Sequence, residues 1–99
     1  MNEASVVPND LPGAEIVIEG LADLAAARES ISALAVSMAA TRLRAAGIDV
    51  PPTRSARPAS HRLYEKLAGD DPRNAHSRFN AIVRRVASFA RAAEHARAG

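Results

Sequence analysis

His61, Tyr64 and Glu65 lie within one turn's length of sequence, and His76 and His95 follow further along the chain. These are the side chains best suited to moving a proton or binding a metal. His61 and Glu65, four residues apart, would share one helix face and could pair or take two positions on a metal ion. Two ligands do not make a site, and neither an HExxH pair nor a carboxylate-rich cluster completes this one. No set of nucleophile, base and orienting group can be assembled from the spacing. GxSxG, GxGxxG and phosphate-cradling glycine loops are absent. The chain also has no cysteine, which removes disulfides and thiolate ligands. The expectation is a protein that is not an enzyme, with no catalytic residue, metal site or cofactor, and with surface or helix-end histidines.

Chemistry of another kind is concentrated in DPRNAHSRFNAIVRRVASF, residues 71–89, where four arginines accompany one acid. At about 100° per residue, Phe79, Ile82, Val83, Val86, Phe89, Ala90 and Ala93 fall within about 120° of one another and form a stripe to be buried. On the other side Arg73, Ser77, Asn80, Arg84, Ser88, Arg91 and His95 follow spacings of four and three, a polar stripe without a carboxylate. A face that serves only to stay wet mixes both signs and gains i,i+4 pairs. This one does not, so these seven residues are the candidate partner-binding set, with Arg73, Arg84 and Arg91 as its principal docking groups. Glu15, Glu19 and Asp23, at i, i+4 and i+8 of an earlier segment, could face that stripe across two subunits.

Nucleic acid is the alternative ligand. In HRLYEKLAGDDPRNAHSRFN, residues 61–80, a short helix and a tight turn lead into a second helix whose start offers Arg73, Asn74, His76 and Arg78 to phosphates or base edges. The closing helix is longer than a usual recognition helix, and its basic stripe has no interleaved aromatics for stacking single strands. Arg54 and His61, with six residues between them, also have a spacing reminiscent of small helical ribonucleases of the HEPN group. Here, however, the arginine sits in a proline-rich connection.

These groups must be held by helices. Residues 1–13 mix prolines, glycine and small polar residues without a period and are expected as a disordered tail. Residues 14–46 contain no proline and favour helix. Val17, Leu24, Ile31, Met38 and Ala45 recur every seven residues, with Gly20, Ala27, Leu34, Thr41 and Ile48 between them, giving one seam for a single helix or for a pair broken near Ser30, which could cap the second. The β-branched cluster Ile16-Val17-Ile18 makes a strand at 15–19 the competing reading. Gly47, followed by Pro51-Pro52, stops the helix, and residues 51–60 form an extended connection. A short helix over about 59–68 buries Leu63, Tyr64 and Leu67 and ends at Gly69. Asp71 then caps a long helix that has Pro72 at its first position and runs to about Arg97. The expected fold is all-α, a small antiparallel helical bundle forming a single domain over 14–99. A homodimer is expected to cover the apolar edges that a thin hairpin leaves open.

Charge is distributed unevenly. Residues 1–50 carry seven acids and three bases, and residues 51–99 ten bases and four acids; twelve of the thirteen bases are arginine, the side chain suited to forked pairing with carboxylates. The longest apolar run, Ala33–Val36, is far short of the ~20 residues that span a bilayer. With an acidic start unlike a signal peptide and no Trp for membrane-surface seating, a cytoplasmic protein is expected.

Thr41-Arg42-Leu43-Arg44-Ala45-Ala46-Gly47-Ile48, His61-Arg62-Leu63-Tyr64 and Ala75 through Arg85 together resemble small uncharacterised helical bacterial proteins loosely associated with neighbours of nucleotidyltransferase-type toxins. The resemblance covers the chain after the tail and carries over no site residue. It implies an antitoxin-like or regulatory protein that binds a bacterial partner protein, such as a toxin or an enzyme.

Overall fold

A computed structural model describes residues 7–52 and 57–98. Five helices follow one another: α1 (Ala14–Ala25), α2 (Ile31–Met38), α3 (Ala40–Ala45), α4 (Ala59–Asp70) and α5 (Ala75–Ala98). The described residues contain no strand. The stretch considered for a strand at 15–19 is helical because Val17 and Gly20 face inward at helical spacing, with Ala14 a turn before them.

The 14–46 segment is three helices, not the one or two expected. α1 ends in a Schellman motif with Ala27 in the left-handed region at φ 57°, where Arg28 N–H donates to the Asp23 carbonyl at 2.7 Å and Ala27 N–H to that of Leu24 at 3.0 Å. Ser30 then caps α2, its Oγ accepting from Ala33 N–H at 3.0 Å. A further break comes at Ala39, whose N–H reaches back only to the Val36 carbonyl at 3.1 Å and so tightens the ladder locally. Gly47, at φ 91°, closes α3 as foreseen, with Ile48 N–H donating to the Leu43 carbonyl and Gly47 N–H to that of Arg44. Of the heptad positions, Val17, Gly20, Leu34 and Ile48 are buried, whereas Ala27, Thr41 and Ala45 are exposed, because the breaks change the face presented.

α1 packs on α2, α2 on α4, and α4 on α5. The core is formed by Val17, Val36, Leu43, Leu63, Leu67, Val86 and Phe89, each essentially without solvent contact. Removing one such leucine side chain costs about 2–5 kcal/mol. Gly20 permits the tightest approach: a Cβ built there would lie 2.4 Å from the Ser32 carbonyl oxygen and 2.5 Å from Val36 Cγ2. The buried Ser32 hydroxyl donates to Glu19 Oε1 at 2.7 Å, tying the same two helices. Val7 and Leu11, in the stretch expected as a tail, pack against the core.

Three expectations about α4 and α5 are corrected. α4 runs through Gly69 to Asp70; a Cβ at Gly69 would meet no other part of the fold, and no left-handed residue is needed there. α5 begins at Ala75, not Pro72, because Asn74 N–H donates to the Asp71 carbonyl at 3.2 Å in a tight turn, and the first helical bond runs from Arg78 N–H to the Asn74 carbonyl at 2.9 Å. Tyr64 is 40 % exposed rather than buried. Its ring lies over the α4–α5 junction, 5.6 Å from Phe79 and 6.4 Å from His76, both tilted. The large exposed hydrophobics among the described residues are Ile18 and Tyr64.

Candidate functional site

The buried stripe of α5 follows the expected period: Val86, Phe89, Ala90 and Ala93 are buried and Phe79, Ile82 and Val83 partly so. That seating turns the opposite side outward. Ser77, Asn80, Arg84, Arg91 and His95 are exposed, with Ser88 half-buried. Arg73 is also exposed, but it belongs to the turn before α5 and not to the helix. Asn80 Nδ2 lies 3.3 Å from His76 Nε2.

Ion pairing separates the arginines into two groups. Arg78 donates to Asp70 at 2.8 Å, Arg85 pairs with Glu15, and Arg42 of α3 reaches Glu94 of α5 at 3.2 Å. Arg62 pairs with Glu29. Arg73, Arg84 and Arg91 have no carboxylate partner among the described residues. The guanidinium groups singled out from the spacing are therefore among those that internal acids leave unneutralised, together with Arg44, which donates to the Val50 carbonyl, and Arg97.

The acidic row of α1, by contrast, does not await a second subunit. Glu15 holds Arg85, Glu19 accepts from Ser32, and Asp23 accepts from Ser30 Oγ at 2.6 Å and Arg28 Nε at 3.1 Å. The Ser30 hydrogen bond, with Arg28 beside it, holds the Asp23 carboxyl below its usual range.

The candidate nucleic-acid contacts are largely engaged inside the chain. Asn74 Nδ2 donates to Asp71 Oδ2 at 2.9 Å, Arg78 is on Asp70, and His76 meets Asn80 and Tyr64. Two carboxylates thus stand where phosphates would approach, and Arg73 alone of the four is unengaged.

The enzyme-like groups are dispersed. Glu65 is held by Arg57, whose hydrogen bond keeps the Glu65 carboxyl below its usual range, with a smaller contribution from the charge of His61. His61 itself is exposed. Arg54 lies outside the described residues. No group of three or more His, Asp or Glu side chains among the described residues is placed to hold a metal ion.

Two surface hollows bear on these faces. One, of about 530 Å³, lies along the outer side of α1 and is lined by Val7, Ile18, Leu21 and Pro51 with Asp49 on its edge. The other, of about 260 Å³, is lined by Pro12, Gly13, Ala81, Arg84, Arg85 and Ser88. It joins the start of α1 to the middle of the basic stripe, a meeting that spacing within α5 could not reveal.

No helix among the described residues is long and apolar enough to cross a membrane. No protein-family model matches the chain, and no curated protein or solved structure matches it.

Proposed function

We propose that this protein is a non-enzymatic helical interaction module whose α5 outer face docks an acidic surface of a partner protein, in the manner of an antitoxin-like or regulatory binder acting in a bacterial cytoplasm. One observation carries the reading: Arg78 and Arg85 of α5 are paired with acids of the same chain, whereas Arg84 and Arg91 are exposed without a carboxylate, and Arg73 stands likewise in the turn before the helix. Arginine's planar fork pairs carboxylates through two parallel hydrogen bonds. A row of such groups favours encounter with an acidic partner and repels a basic one. A protein partner is preferred to nucleic acid because Asp70 and Asp71 flank the residues that would meet phosphates.

The test is a double charge reversal, Arg84→Glu with Arg91→Glu, assayed by circular dichroism and by binding to a synthetic helical peptide bearing glutamates seven residues apart. Helicity should be retained and affinity should fall at least about tenfold, equivalent to about 1.4 kcal/mol. Unaltered binding would remove these arginines from the mechanism. Retention of duplex DNA or RNA in preference to the peptide, with a steep salt dependence, would replace it with the nucleic-acid reading.

A further inference from the structure

We infer that the hollow between the start of α1 and the middle of α5 is the anchor of this docking face, that it receives a carboxylate side chain from an acidic segment of the partner protein, and that Glu15 competes for the same guanidinium in the free protein. This rests on the docking reading and deepens it by locating the anchor and its internal competitor.

The hollow is lined by Arg84, Arg85, Ser88, Ala81, Pro12 and Gly13, two of them arginines and none of them acidic. Its volume of about 260 Å³ is several times the ~30 Å³ share of one water in the liquid, enough for the end of an aspartate or glutamate side chain. One wall is fixed by backbone. Gly13 has φ 76°, and a Cβ there would stand 2.4 Å from the Arg85 carbonyl oxygen, so the chain approaches α5 too closely for a side chain to fill the space. Ala81, one turn before Arg84 and Arg85, keeps the floor low.

The occupant's chemistry follows from charge. Arg85 already holds a carboxylate, that of Glu15, and both side chains are more than half exposed, so the pair can exchange partners at little cost. Arg84, beside it, has no acid. An incoming carboxylate would take Arg84 at once and share or displace Glu15 on Arg85. Seven residues on from Arg84, about 10.5 Å along the helix, Arg91 offers a second contact. That separation suits carboxylates two turns apart on one helix of a partner better than a lone anion.

The experiment titrates the full chain with the same glutamate peptide by fluorescence anisotropy, comparing wild type, Glu15→Gln, Arg85→Gln and Arg91→Glu, with inorganic phosphate as competitor. Glu15→Gln should bind the peptide about threefold or more tightly, Arg85→Gln several-fold more weakly, and millimolar phosphate should leave the complex largely intact. If Glu15→Gln binds no better than wild type while Arg91→Glu still weakens the complex, the anchor assignment is overturned and the docking face survives. If neither changes binding, both are overturned. Displacement by phosphate at low millimolar concentration would also overturn the anchor, making the hollow a simple anion site. The thermal midpoint of each variant, expected to change little because the pair is exposed, excludes unfolding as the cause.

Discussion

The outer row of α1 and the outer row of α5 look alike on paper, each carrying charge of a single sign, yet they end in opposite conditions. Glu15, Glu19 and Asp23 are all engaged by neighbours in the same chain, whereas Arg84 and Arg91 meet no described acid. The difference lies in what each helix packs beside. α1 is pressed on α2 at Gly20, bringing Ser30, Ser32 and Arg28 within hydrogen-bond reach of its acids. On the outer face of α5, Arg84 and Arg91 stay exposed among the described residues. A charge row is a docking candidate only where the fold leaves it without a neighbour.

The α1–α2 contact that brings those partners to the acids is most vulnerable at Gly20. Gly20→Leu should destabilise the protein by about 3 kcal/mol or more, at the upper end of overpacking, because the Ser32 backbone oxygen cannot yield as a side chain would; chemical denaturation reads the loss. Ser30→Ala removes the α2 cap and one partner of Asp23 together, and should lower stability by about 1 kcal/mol in the same assay. Charge reversal then contrasts the rows directly. Glu15→Lys with Glu19→Lys should cost about 1 kcal/mol, since each change removes an existing partner. Arg84→Glu with Arg91→Glu should stay within about 0.5 kcal/mol of wild type, as substitutions without internal partners do.

Acid titration gives the smallest effect. The Asp23 carboxyl has a folded-state pKa below its unfolded one, so its contribution is fully present above an ordinary aspartate value of about 3.9. It fades as pH falls through the lower folded value. Asp23→Asn should lower stability at neutral pH, where the carboxylate's contribution is complete, and flatten the acid limb of a stability-against-pH curve below about pH 4.

Much of the fold was legible because local chemistry specified it. Ser30 as a cap, Gly47 as a left-handed stop and the apolar period of α5 each depend on residues a few positions apart. The break at Ala39 was not legible, since it has neither proline nor glycine and arises from how α2 and α3 seat separately on the core. Tyr64 read as buried from its place beside Leu63, but the α4–α5 junction left its ring at the surface. Half of the candidate site was visible as a row without acids. The other half, the pairing of Arg85 with Glu15 and the hollow beside Gly13, joins opposite ends of the chain. The uneven distribution of charge between the halves hinted at it, as did the acidic row at Glu15 set against the α5 stripe.

If Arg84 and Arg91 of α5 recognise carboxylates by charge and position, a charge-swap titration will reveal it. Wild type should bind a glutamate-bearing helical peptide and reject its lysine counterpart, while the Arg84→Glu, Arg91→Glu variant should show the reverse preference with unchanged helicity. Equal binding of both peptides by both proteins would contradict it.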